Sequence, residues 1–496
     1  MFWRAIFFIA FTFCVLLTCS IPCFAQGYYD FKPLNTYGRD DSDLIDLLRD
    51  QTAEEIARTN SPKRNEVNKL YEAIGKRIRM LVVRNQLIRN DSLQRFIDTI
   101  GKKLVTSNNL KIGYKTLLIQ NSPSINGLAI AEGTIILNIR LLGRIENESQ
   151  LAFVLAHEIA HLELQHGRKK ITEAVEGNVL KEEIKNLRDL SGNDASADNM
   201  ESLRKIWYQQ SSNNRERELQ ADSMAVELME NAGYSSYEAI PMLDILGESK
   251  KSRIDLDFMI QLDIAAYPLK DEWFRKRPAI FSRSAESVFI SSDSVASHPD
   301  LELRKQILKE KVIRISSGIN RQPSALVNKI IRVSAFQSIQ SAYQKEQFDL
   351  CLYLALQLRE RFPNNPYLTS MIARVFAELY ERRDLDYDFY LALSKYTSGY
   401  NEELRAVNEF LHNVKREELG EIAFYFLSSK ENFNVGYEYH YYLLWRICSM
   451  TDRTTERKKI KKEYETLFKD GKYAGKMILY SPYKTKLKNL KHQLRN

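Results

Sequence analysis

The sequence predicts a mostly helical α+β protein: a domain that combines helices with a small β-sheet, followed by a region built from helices alone. Three observations carry this. Between residues 66 and 104 apolar residues recur at helical spacing; between 115 and 137 short apolar runs alternate with turn residues; after about residue 320 only helical spacing remains. The chain has 496 residues, 44% hydrophobic and 27% charged, which is ordinary globular composition. Its length suits about two or three domains.

The first 25 residues read as an export signal. Arg4 precedes an uncharged run from Ala5 to Leu17, and Cys23-Phe24-Ala25 ends in a small residue suited to cleavage before Gln26. Two alternatives stay open. Phe2 to Phe24 approaches the length of an anchor helix, and Cys19 after Leu16-Leu17-Thr18 offers a poorer site for lipid attachment. The expected location is therefore exported, periplasmic or secreted, or attached peripherally to a membrane. Only Cys351 and Cys448 of the five cysteines lie beyond this segment, as one disulfide or two buried thiols.

Residues 26–65, with Pro33, Gly38 and an acidic run at 40–43, read as a flexible lead-in. Glu66, Leu70, Ile74, Ile78 and Leu81 then mark a helix. A second follows Asp91, read as its N-cap, through Leu93, Phe96, Ile97, Ile100 and Leu104. Lys115–Gln120 reads as a strand. Leu128–Ile130 and Thr134–Leu137 read as two more, joined tightly at Glu132-Gly133. Asn147 caps the next helix with Gln150 three residues on, and that helix should end near Gly167.

Residues 185–200 are polar and read as a flexible insertion, with helix resuming at Leu203 and from Arg217 to Met229. Residues 320–450 read as helical. Cys351, Ala355 and Leu358 before Phe362-Pro363-Asn364-Asn365-Pro366 resemble one tetratricopeptide unit, but no clear period of about 34 residues recurs. An irregular helical bundle is the alternative. Residues 451–496 form a basic helical tail. Within 452–496 stand 14 Lys/Arg against five Asp/Glu, which accounts for the net charge of +8. The body is thus near neutral and shows no nucleic-acid signature. Lys458-Lys459 and Lys461-Lys462 could meet anionic lipid or simply form a solvated face.

The chemistry lies in His157-Glu158-Ile159-Ala160-His161. On a helix, side chains four apart share a face, so two imidazoles can bind one metal. Glu158, rotated by about 100°, leans over the metal without ligating it, where a general base for water activation has to be. A third ligand is needed, with one position left open. A histidine at 167 is excluded, since Leu164 and Gly167 stand where that pattern needs Gly and His. His166 lies about half a turn around the helix from His157, and reads as a surface or helix-end residue. Glu182, Glu183, Glu216 and Glu218 are candidates. Glu218 is preferred because Asp222 follows on the same face, able to accept a hydrogen bond from a ligating imidazole, and Ala221 permits close packing. Mixed imidazole and carboxylate ligands suit Zn2+, one per chain.

Glu218-Leu219-Gln220-Ala221-Asp222 together with H-E-I-A-H resembles the zinc endopeptidase family that includes the HtpX heat-shock protease and the CaaX prenyl protease. Asn126–Gly133 resembles that family's Asn-Ala-x-Ala-x-Pro-Gly-Gly segment, and Ser297-His298-Pro299-Asp300 with Arg304 resembles its later His-Pro segment. The likeness spans about residues 66–315. Ala131 and Glu132 stand where the family has Pro-Gly, so that turn should differ in shape.

The resemblance implies a zincin-type metallopeptidase domain at 66–315 and hydrolysis of peptide bonds in exported or envelope proteins, unfolded or misassembled ones in particular. It places His298 near the site, as a donor to the oxyanion, as a ligand that blocks the metal, or as a structural loop residue. Arg304, grouped with Asp222 behind the metal ligands, would orient that loop or bind substrate. Leu128, Ala129 and Ile130 would pair with an extended substrate, and the helical region would recruit clients or an assembly machine. Two alternatives remain: a latent domain acting as a scaffold or chaperone through its helical region, and a purely structural zinc fold, which wants four protein ligands.

Overall fold

A computed structural model describes residues 30–176, 212–247, 256–276, 301–315, 323–383, 393 and 400–478. The export signal, the insertion at 185–200, Glu182, Glu183, Leu203, His298 and the end of the basic tail lie outside the described residues.

The N-terminal lead-in holds a helix, α1 (Ser42–Ala57), whose buried face is Leu48, Gln51, Thr52 and Glu55. That face is mostly polar, so no apolar period announced it. α2 (Arg64–Val83) buries Val67, Leu70, Ile74, Ile78 and Leu81, as its spacing predicts. α3 (Asp91–Ser107) is capped by Asn90, one residue before the expected Asp91: Leu93 N–H donates to Asn90 Oδ1 at 3.0 Å. Asp91 instead opens the helix, where its charge favours the helix N-terminus.

The sheet has β1 (Thr116–Gln120), β2 (Gly127–Ile130) and β3 (Thr134–Asn138) in the order β1-β3-β2. β1 and β3 run parallel, and β2 pairs antiparallel with β3, Leu128 opposite Ile136 and Ala129 opposite Ile135. Gly133 closes the β2–β3 turn at φ +99°, a backbone that L side chains rarely adopt. The strands read as near-continuous apolar runs because both faces are covered. Leu117, Ile119, Ile135 and Leu137 join a core with α3; Leu118, Leu128, Ile130 and Ile136 join a second core with α2. This is the two-residue alternation of a strand.

A short α4 (Ile139–Leu142) leads to α5 (Glu148–Glu163), α6 (His166–Glu176), α7 (Ser212–Asn231), α8 (Ala239–Leu246) and α9 (Leu301–Ile315). α5 packs against α7, β2 and α3. Buried alanines on both helices (Ala152, Ala156 and Ala160; Ala221 and Ala225) let α5 and α7 approach closely.

The helical region comprises α10 (Ala325–Gln344), α11 (Phe348–Arg361), α12 (Pro366–Arg382), α13 (Glu402–Asn413), α14 (Arg416–Ser428), α15 (Glu438–Met450) and α16 (Thr454–Leu467). α10 packs on α11, α11 on α12, α14 on α15 and α15 on α16, while α13 packs back on α11 and α12 packs on α14 and α15. α10 belongs to both halves: Val327 and Ile330 enter the core around the sheet, and Phe336, Ile339 and Ala342 enter the helical core. Polar bonds close this junction at the β1–β2 loop, with Gln337 Nε2 donating to Asn121 Oδ1 at 3.0 Å and Ser341 Oγ to the Asn121 carbonyl at 2.9 Å. Cys351 and Cys448 are separate, buried thiols. No helix among the described residues is long and apolar enough to cross a membrane.

Candidate metal centre

α5 starts where Asn147 Oδ1 accepts from Gln150 N–H at 3.1 Å. The Gln150 side chain turns back to accept from Glu146 N–H at 2.7 Å and donates to Glu238 at 2.9 Å. So Gln150 serves the residue before the cap and the 236–238 turn. The helix is buried nearly all round, including His157 and Glu158, which is why its sequence is apolar on every side of the motif.

His157 and His161 project from successive turns, with their Nε2 atoms 3.0 Å apart. α7 brings Glu218 to the same place: Oε2 is 3.4 Å from His157 Nε2 and Oε1 is 3.5 Å from His161 Nε2. Among the described residues these three form the one cluster able to hold a metal ion, with all ligand atoms within 4.8 Å of one another. Three donors bound to one zinc ion at tetrahedral angles stand about 3.3 Å apart. The observed edges fit. His157 and Glu218 are buried, while the His161 side chain keeps 14% exposure, so the cluster opens on the His161 side.

The polar groups behind the donors fix their orientation. His157 Nδ1 lies 2.9 Å from Asp222 Oδ1, which leaves Nε2 to face the other donors. Arg304, from α9, is fully buried and grips Asp222 with two bonds of 2.7 Å. Its third nitrogen lies 3.2 Å from Glu218 Oε2. Burial alone would raise the Asp222 carboxyl, but Arg304 and His157 together hold it below its ordinary value. The sequence reading gave Arg304 a role in a loop or on substrate. It sits behind the ligands beside Asp222, the place its grouping with that residue implies, and acts there as the counter-charge to two carboxylates.

His166 also departs from expectation. The helix does not run on to Gly167. It ends at Glu163, and Gln165 takes a left-handed φ of +56° before α6 begins at His166. This break swings His166 inward, 2% exposed, rather than to the surface. Its Nδ1 lies 2.9 Å from His161 Nδ1, and its Nε2 lies 3.2 Å from Gln220 Oε1. Burial lowers this imidazole to about 4, so it is neutral near pH 7. A neutral ring has one donor and one acceptor nitrogen. If His161 presents the lone pair of Nε2, its Nδ1–H donates to His166 Nδ1, and His166 Nε2–H donates to Gln220. Gln220 Nε2 in turn donates to Glu216 at 3.1 Å. One direction of donation satisfies the whole series. Helical spacing could not show this, because residues 161 and 166 do not share a face of a continuous helix.

Glu158 is buried beside the cluster, and its Oε2 accepts the Ala129 N–H at 2.7 Å. Gly127 makes room for it: a Cβ there would stand 3.4 Å from Glu158 Oε1 and 3.3 Å from Val154. Leu128, Ala129 and Ile130 are buried, so side chains from this strand offer a substrate little. β2 is nevertheless an edge strand of the sheet, and its Ala129 N–H points away from β3 toward Glu158. Glu216, the rejected ligand candidate, is exposed on the outer face of α7.

Two imidazoles and a carboxylate around one point, with a further carboxylate alongside, define a candidate metallohydrolase centre. Residues 88–312 match peptidase family M48. An 81-residue stretch is 38% identical to the beta-barrel assembly-enhancing protease of Escherichia coli K12 and covers 16% of each chain. The protein of that name from Yersinia pestis is 34% identical over 90 residues, 18% of each chain. A putative beta-barrel assembly-enhancing protease of Vibrio cholerae is 34% identical over 97 residues, covering 19% of this chain and 20% of that one. The similarity thus reaches a fifth or less of these relatives' length. Together with the donor set, these similarities support a metalloprotease domain over residues 88–312.

Proposed function

We propose that the chain is a zinc-dependent endopeptidase acting on exported or envelope proteins, with protein quality control as its role. The observation that carries this reading is the placement of Glu158, held by Ala129 N–H next to three converging donors. His157, His161 and Glu218 would hold the metal. When bound, zinc supplies Lewis acidity that makes water a usable nucleophile near neutral pH.

The chain's own groups do the rest. Asp222 and His166 fix the two imidazoles with Nε2 forward. Ala129 fixes one Glu158 oxygen, and Oε1 takes the proton of the attacking water and returns it to the leaving amine nitrogen. An extended polypeptide substrate lies along the edge of β2, pairing through backbone groups, which selects for extension more than for sequence. His298, placed by the resemblance alone, would serve as a donor to the oxyanion or close the site until substrate arrives. The helical region, read as tetratricopeptide-like, recruits clients, and an N-terminal signal directs export. The similarity to beta-barrel assembly-enhancing proteases supports barrel-assembly clients as substrates.

Glu158→Gln is isosteric and tests the assignment in the full chain. Casein hydrolysis should fall by a factor of about 10²–10⁴ while bound metal stays unchanged. Undiminished hydrolysis overturns the peptidase reading and favours a scaffold.

A further inference from the structure

The helical region holds a cavity of about 580 Å³ formed wholly by residues outside the stretch that matches the peptidase family. Its walls are the extended segment 30–33, α10, α12, α15 and the turn at 472–476. Six tyrosines line it: Tyr343, Tyr367, Tyr437, Tyr439, Tyr442 and Tyr473. Tyr442 and Tyr473 stack at 4.9 Å with an interplanar angle of 15°, and Tyr439 flanks them at 5.3 Å. A wall of this kind offers aromatic faces of appropriate size for a planar or apolar group.

The charges in the wall do not cancel. Arg446 is taken up by Glu378 at 2.8 Å and Glu381 at 2.5 Å, and Tyr343 O–H also donates to Glu378. Arg374 forms no salt bridge among the described residues, although Glu378 lies near enough to attract it. Its guanidinium lies 3.9 Å from the centre of the Tyr343 ring, and among the described residues its buried Nε has no hydrogen-bond acceptor. Lys472 and Lys476 stand at the mouth, each against Tyr473, at 5.6 and 5.4 Å from the ring centre. Five cations (Lys32, Arg374, Arg446, Lys472 and Lys476) line the cavity against three carboxylates (Asp30, Glu378 and Glu381).

We infer that this cavity is a second binding site, for a carboxylate carried on an aromatic body. A stacked guanidinium whose Nε has no acceptor among the described residues suits a carboxylate oxygen, the lysines add attraction at the mouth, and the tyrosines cover the ring. Cavities of this volume hold ligands the size of one or two residues. The same chemistry is offered by a free aromatic amino acid and by the C-terminal residue of a polypeptide. This assignment does not depend on the metal centre.

The test is isothermal titration of the full chain with N-acetyltyrosine, N-acetyltyrosine amide, and a hexapeptide ending in tyrosine as free acid or amide. The acids should bind at least about tenfold more tightly than the amides. Arg374→Gln should remove that preference, and so should Lys472→Glu with Lys476→Glu, an exposed pair whose replacement leaves the core intact. Tighter binding of the peptide acid assigns a polypeptide terminus, and equal binding of both acids assigns the free amino acid. Equal affinity for acid and amide, absence of saturable binding, or an affinity untouched by the lysine pair overturns the proposal.

Discussion

The two halves of the molecule are held together by different means. Around the candidate metal centre the interior is ionic: Glu158, Glu218, Asp222, His157, His166 and Arg304 are all buried, and His157, Glu218, Asp222 and Arg304 are bonded to one another. In the helical region the interior is aromatic and aliphatic, with Phe336, Phe348, Phe376, Phe410 and Phe426 fully buried and two inert thiols among them. The contrast shows where the sequence has freedom. A hydrophobic core accepts many residues of similar volume, whereas a buried ionic cluster fails when one partner is removed. Chemistry is therefore written sharply in the first half and packing loosely in the second.

Four variants probe that contrast. Asp222→Asn leaves Arg304 buried with half its counter-charge, and should cost about 3–5 kcal/mol in denaturant unfolding. It should weaken metal binding too. Phe376→Ala, in the helical core, should cost about 3–4 kcal/mol through its cavity yet leave metal affinity unchanged. A loss of metal from this variant would join what the comparison separates.

Glu132 tests the ionic half at a site without a bonded partner. It is buried in the β2–β3 turn, and among the described residues both its oxygens lack hydrogen-bond partners. Burial first and Glu55 second push its carboxyl up to about 8, against the opposing Arg79 and Lys115. The folded chain therefore binds a proton that the unfolded chain has released between about pH 4.5 and 8. Stability from this group is full below that window and lost as pH rises through it. Glu132→Gln should flatten the slope and gain up to about 4 kcal/mol at pH 8, but little at pH 4, by urea unfolding at both pH values. The smallest effect is expected from His166→Ala, which should weaken zinc by about tenfold in a chelator competition without unfolding α5.

Much of the centre was legible. The spacing of His157, Glu158 and His161, and the four-residue offset from Glu218 to Asp222, are helical geometry written in sequence, and the structure brings them together. The sheet was legible because turn residues bracket its strands. Three features were not. α1 hides because its buried face is Gln51, Thr52 and Glu55. His166 hides because a left-handed Gln165 breaks the helical period. Arg304 showed as a residue of interest but not as a counter-charge, since pairing across 82 positions has no periodic signature. In the helical region the period gives helices but not which of them pack, as with α12 against α14.

The most direct measurement is zinc content by mass spectrometry of the full chain and of Glu218→Gln, each followed through chelation and zinc addition. The account predicts one equivalent in the parent chain, hydrolysis lost on chelation and regained with zinc, and greatly weakened binding in the variant. A parent chain that takes up no zinc, or a variant that holds it equally well, contradicts the convergence of residues 157, 161 and 218 on a single ion.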